Sequence, residues 1–211
     1  MTPDAAQKVD FKKQLDSYRA RRGEFRLIEM PAIRYLMIDG HGDPNSAPEF
    51  SQAIESLYPV AYAMKFASRR ALGRDYVVPP LEGLWWADDM AAFTSARDKN
   101  AWDWTLMLMV PEWLDDEAFA AAVEQVRAKG GAPRLREVRL DELAEGRCLQ
   151  TLHVGSFDDE TAVLDRLHHE VIPERGLRPA GTHHEIYLSD FRRVAPEKQR
   201  TILRQPVADA R

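Results

Sequence analysis

The stretch His183-His184-Glu185-Ile186-Tyr187-Leu188 holds the residues best suited to chemistry. Side chains alternate along an extended chain, so Glu185 and Tyr187 share one face, and His184, Ile186 and Leu188 share the other. Ile186 and Leu188 belong in a core, which directs Glu185 and Tyr187 to the opposite surface. A carboxylate partly buried beside aromatic rings has its pKa raised by desolvation. It can attract a cation, accept a hydrogen bond or act as a general acid or base. Register against the second half pairs Trp85 with Tyr187 and makes it the groove wall, with its neighbour Trp86 in the core. Trp102 and Trp104 share parity and offer another wall. Each such ring favours flat or cationic ligands by ~0.5–2 kcal/mol. Gly83 aligns with Glu185, and its missing side chain leaves room for a ligand to approach. Glu82 reads as a strand-edge residue.

Other chemistries find less support. His183 and His184 diverge on a strand and cannot easily hold one ion, and His168-His169-Glu170 lacks the i, i+4 spacing of a helical metal site. No metal and no cofactor are expected. Cys148 reads as a small buried hydrophobe, of opposite parity to His153. No GxSxG, P-loop or GxGxxG pattern is present.

The elements that must position these residues follow from composition and punctuation. The chain has 211 residues, 45% hydrophobic and 30% charged, which excludes disordered and fibrous classes. Its net charge of −5 gives no basic surplus for nucleic acid. The basic run between Lys8 and Arg22 reads as a solvated helix face. No apolar run approaches the ~18 residues of a membrane span, and a single cysteine favours a reducing cytoplasm.

Residues 8–20 predict a short helix ending at Gly23, and 25–38 an extended segment broken by Pro31. Ser46 and Glu49 fit a capping box for a helix through Phe50, Ile54, Leu57, Ala61 and Met64, with a kink or restart expected at Pro59. Strands follow at 76–88 and 102–110, and Asp115 or Asp116 caps a helix stopped by Gly130-Gly131. The second half repeats the plan. Residues 134–140 and 147–154 read as strands, Val163, Leu167 and Val171 as a helix face ended by Pro173, and 183–189 as a strand. TILRQPV predicts a last edge strand closed by Pro206. Two strand–helix–strand–strand units of this size should share one core and leave a groove at their junction.

The stretches VDFKKQLDSYRARRGEF, YLMIDGHGDPN, PLEGLWW, WDWTLMLMVP, EGRCLQTLHVGSFDDE, HHEIYLSD and TILRQPV occur in the order found in GyrI-like small-molecule-binding proteins. The chain resembles the stand-alone subfamily of that family, which includes cyclopropanoid cyclopropyl hydrolases. The resemblance implies an α+β fold, a tandem pseudo-two-fold pair of β-α-β-β modules with a ligand cleft between them. On that plan residues 1–23 form an N-terminal helical extension, 24–114 the first module, 115–133 a connecting helix and 134–211 the second module. It implies a bulky, flat, often cationic or aromatic ligand bound by Trp85, Trp102, Trp104, Gly83, Glu185 and Tyr187. In the hydrolytic version, Glu185 and Tyr187 are the catalytic residues that open a cyclopropane ring. The alternative is a protein-interaction or sensor module without catalysis, such as one that modulates a topoisomerase. One position departs from the family, which reads Asp-Pro-Arg after the last of these strands; here it is Asp190-Phe191-Arg192. The lost proline is expected to loosen that turn.

Overall fold

The computed structural model describes residues 8–87 and 98–210. Residues 1–7 of the expected N-terminal extension, Asp88 and Arg211 lie outside the described residues. The strands are β1 (Arg26–Met30), β2 (Ile33–His41), β3 (Leu81–Trp86), β4 (Asp103–Met109), β5 (Arg139–Leu143), β6 (Gly146–Val154), β7 (Leu177–Pro179), β8 (His183–Tyr187) and β9 (Arg200–Asp209). The helices are α1 (Phe11–Gln14), α2 (Pro48–Ala67), α3 (Asp116–Ala128), α4 (Thr161–Arg166) and α5 (Ile172–Glu174), the last two joined by a π turn.

The strands pair antiparallel in the order β1-β6-β9-β8-β3-β4-β2-β5, with β7 added beside β9. The halves match: β2, α2, β3 and β4 in the first correspond to β6, α4–α5, β8 and β9 in the second. They meet at the β3–β8 seam, where Gly83 lies opposite Glu185. This is the expected tandem α+β arrangement, built as one sheet. The leading strands are exchanged, β1 pairing with β6 and β5 with β2.

That exchange forces curvature. β1 and β2 lie six strand positions apart, ~29 Å if the sheet were flat. Only Pro31 and Ala32 join them, a reach of ~10 Å. The sheet therefore curls until its ends approach. Tyr35, Met37, Met107, Leu152, Ile186 and Ile202 fill its inside. Outside, α2 covers one half through Leu57, Val60 and Met64, and α4–α5 cover the other through Leu167 and Ile172.

Several expectations change. Helix α2 begins one residue later than a Ser46 cap would place it: Ala47 is the cap residue, Pro48 opens the helix, and no side chain caps it. The helix runs through Pro59 to Ala67 without a break. Glu55 and Pro59 are both exposed, so the carbonyl that loses its donor faces water. Segment 134–140 opens as a 3₁₀ turn, Leu135–Glu137, before β5. Pro173 lies inside the last helical turn instead of ending it. Strand β9 is interior, between β6 and β8. Pro206 is tolerated there, between the β8 pairing that ends at Arg204 and the β7 pairing that starts at Val207, because its carbonyl still accepts from Ala180 at 2.8 Å and the Ala180 carbonyl accepts from the Gln205 side chain at 3.4 Å.

The basic N-terminal run is not only a solvated face. It carries buried Tyr18, whose hydroxyl donates to Glu82 Oε1 at 2.6 Å inside the curl. Glu82 is accordingly interior. Its other oxygen lies 2.9 Å from His184 Nε2, and His184 Nδ1 is 3.0 Å from Glu145, which accepts from Arg204 at 2.9 Å. Each buried charge thus has an opposite partner, as burial demands.

Candidate functional site

Strand β8 sends Ile186 and His184 into the curl, and Glu185 and Tyr187 to the outer face, between α2 and the turn before α4. The Tyr187 hydroxyl donates to Glu185 Oε2 at 2.8 Å, and Trp85 Nε1 donates to the Tyr187 oxygen at 3.0 Å. Trp85 pairs with His183 and not with Tyr187, so indole and phenol reach toward each other over Gly83. A methyl group on Gly83 would lie 2.8 Å from Trp85 Nε1 and 3.1 Å from the Tyr187 oxygen. The space that glycine leaves is thus taken by this hydrogen-bonded pair, not held open for a ligand. Burial, reinforced by the Glu185 charge, pushes the Tyr187 phenol well above its ordinary pKa, so it stays a proton donor.

The turn Phe157–Glu160 closes over this face. Ser156 and Asp159 form the capping box that orients it, the Ser156 hydroxyl donating to Asp159 at 2.7 Å. Residues three apart on a 3₁₀ turn eclipse. Phe157 and Glu160 therefore share one side of the turn, Glu160 buried and Phe157 at the exposed rim. Phe157 lies edge-on to Tyr187, ring centroids 5.7 Å apart, and Glu160 is buried. Burial and then the Glu185 charge push the Glu160 carboxyl well above the usual carboxylate range. Glu160 is a buried carboxyl beside this face that the sequence reading missed. Its signal was the i, i+3 pairing of Phe157 with Glu160 in FDDE.

Phe191 completes the layer, 5.6 Å from Tyr187, 5.7 Å from Phe157 and 6.4 Å from Phe50. Its turn is not loose. Asp190 accepts from the Arg192 backbone and guanidinium, and Gln199 donates to the Phe191 and Val194 carbonyls. Phe50, from the first turn of α2, lies 6.1 Å from Trp85 and 5.2 Å from Trp104. Trp102 stands edge-on to Trp85 at 5.8 Å.

The structure brings Glu185, Tyr187, Trp85, Trp102 and Gly83 together. Trp104 is fully buried beneath Phe50, its ring filling the space over Gly40, so it supports the site from below. Trp86 is only half-buried because β8 pairing starts at Trp85 and leaves the end of β3 uncovered, whereas Trp85 is 6% exposed. His183 sits at the base with both ring nitrogens lacking a hydrogen-bond partner, Nε2 being 3.5 Å from Glu185 Oε1. Its neighbour His168 is held neutral, burial and then the nearby His183 lowering its pKa to about 4. Cys148 is buried, and burial pushes its thiol up to about 12, the wrong direction for a nucleophile. Among the described residues no group of three or more potential ligands could hold a metal ion.

An aromatic layer over an acidic floor, at the seam of two like half-sheets, defines a small-molecule-binding module. The family model for the GyrI-like small molecule binding domain matches residues 105–208, and the chain belongs to this family. It is similar over 95% of its length to all of an uncharacterized conserved protein from Listeria innocua, at 38% identity and a TM-score of 0.86. It is likewise similar over 95% of its length to all of a hydrolase from Listeria innocua, at 37% identity and a TM-score of 0.83. The C-terminal domain of EcmrR shares the fold at 11% identity, a TM-score of 0.54, and coverage of 88% of this chain and 98% of that one. No curated protein matches the chain. Among the described residues no helix is long and apolar enough to cross a membrane.

Proposed function

We propose that the protein binds flat hydrophobic or cationic aromatic molecules on the outer face of the β3–β8 seam and hydrolyses those that carry a strained cyclopropane. The observation that carries the reading is the chain of hydrogen bonds from Trp85 through Tyr187 to Glu185 beneath a layer of rings. A carboxylate fixed by a phenol in a dry aromatic setting favours a cation directly, because little water competes for it. Phe157 and Phe191 come from loops and Phe50 from a helix end, so these rings can part around a planar guest.

The same groups suffice for ring opening. Glu185 takes a proton from water while the water oxygen bonds to the cyclopropane methylene. The ring C–C bond breaks, and its electron pair runs through the conjugated system to the carbonyl oxygen. That oxygen receives a proton passed from Glu185 through Tyr187, so the net change is addition of one water. Relief of ring strain leaves orientation and one proton transfer as the enzyme's tasks. The similarity to a hydrolase at 37% identity supports turnover over binding alone.

Tryptophan fluorescence tests the reading. Trp85 and Trp102 line the layer, so flat aromatic cations and their neutral isosteres should quench saturably. A panel that leaves emission unchanged at high concentration overturns it.

A further inference from the structure

Two carboxyls, not one, approach the aromatic layer, and they are not equivalent. On the inner face of the sheet, Glu82 and Glu145 each meet a cationic or donor partner. Glu160, on the outer face, does not. The titratable and charged groups facing it are Glu185 and Tyr187 from β8 and Asp158 of its own turn, with the Thr201 hydroxyl from β9. None of these is a cation; the cation at this rim, Lys99, lies 3.5 Å from Asp158. Glu160 is 4% exposed, and its Oε1 is the only carboxyl oxygen among the described residues that is buried without a hydrogen-bond partner. A buried polar atom left unpaired is costly, and natural structures rarely keep one without a use. The turn that carries Glu160 also carries Phe157, so this carboxyl lies one 3₁₀ turn from a ring of the aromatic layer.

We propose that Glu160 is a second ligand-binding carboxyl of the Glu185 site, one that meets the second positive charge of a flat aromatic dication through its buried, unpartnered oxygen. The inference rests on the reading of Glu185 as the cation-binding carboxylate. Glu185 meets the first charge. The second charge supplies the opposite partner that Glu160 lacks, and ionisation then becomes favourable. The preferred guests are aromatic dications, and their binding must tighten as pH rises, because a proton leaves.

Ethidium and propidium test this, since they share a phenanthridinium ring and differ by one charge. Calorimetric titration in buffers of different ionisation heats counts the protons released. About one proton should leave per propidium bound by the wild-type protein, and fewer with ethidium. Glu160→Gln keeps the shape of the protonated acid. It should release no proton with propidium and bind propidium about tenfold or more weakly. If ethidium binds in a Glu185-dependent way but propidium releases no proton, or if Glu160→Gln keeps the release, the Glu160 inference falls alone. If neither dye binds, the reading of the Glu185 site falls, and this inference with it. The wild-type proton count needs no variant to fold.

Discussion

Replacing Gly83 by alanine probes the centre of the site with a single methyl group. That methyl would lie 2.8 Å from Trp85 Nε1 and 3.1 Å from the Tyr187 oxygen, both closer than comfortable contact. Neither ring can retreat easily, because Trp85 is packed against Phe50 and Trp102, and Tyr187 against Phe157 and Phe191. Overpacking of this kind costs ~1–3 kcal/mol. Separating the indole from the phenol forfeits a hydrogen bond worth ~1 kcal/mol. Against this, alanine restricts the unfolded chain and returns only ~0.4–1 kcal/mol. The net is a loss of about 1–3 kcal/mol, which lowers Tm by roughly 3–10 °C in a domain of this size. The variant should also bind aromatic ligands more weakly, because Tyr187 no longer holds Glu185 in place. Thermal melts and fluorescence titrations read both effects. A Gly83→Ala protein with wild-type Tm and affinity would refute the claim that this glycine exists to let the two rings meet.

Trp104→Ala should destabilise the fold by ~3–5 kcal/mol, whereas Trp102→Ala should mainly weaken ligand binding, a contrast that denaturant melts and quenching titrations separate. Phe191→Ala should lower affinity for flat ligands by about 0.5–1.5 kcal/mol, the worth of one aromatic pair, with little change in Tm because Asp190 and Gln199 still hold the turn. The inner network should set a pH window for stability. Burial opposes the charge on His184, but Glu145 and Glu82 prevail and raise its pKa above 6.5, so its contribution is complete below 6.5 and is lost as pH rises through the raised value. Burial likewise opposes the Glu145 charge, but His184 and Arg204 lower its pKa from 4.5 to about 2, so its contribution is complete above 4.5 and fades toward 2. Urea melts across pH should therefore show this network at its strongest between about 4.5 and 6.5. His184→Gln should cost ~3–5 kcal/mol by leaving Glu82 and Glu145 without their shared cation and should abolish the alkaline limb of that window.

Strand alternation alone placed Glu185 and Tyr187 on one face and Ile186 on the other, and the structure agrees residue for residue. It also set Gly83 opposite Glu185. Alternation reports a face, not a depth, which is why Trp104 could not be told from Trp85 as a wall. Glu82 looked like an edge residue because its partners, Tyr18 and His184, are 64 and 102 residues away along the chain, and no local pattern records such a contact. β9 looked like an edge strand because Pro206 removes a donor. Only the folded structure shows that the Ala180 carbonyl opposite it accepts from the Gln205 side chain instead. Glu160 was hidden for a related reason. In FDDE three acidic residues stand together, and the Ser156–Asp159 box decides which of them turns inward.

The most direct measurement is the comparison of wild type with Glu185→Gln on one cationic aromatic ligand, its neutral isostere and one cyclopropane-bearing substrate. The substitution keeps shape and hydrogen-bonding capacity and removes only the charge and the base. The account predicts that affinity for the cation drops by about tenfold or more while the neutral compound binds unchanged, and that turnover falls by ~10²–10⁴. Unchanged cation affinity together with unchanged turnover would contradict it and return Glu185 to the role of an ordinary residue on a sheet face.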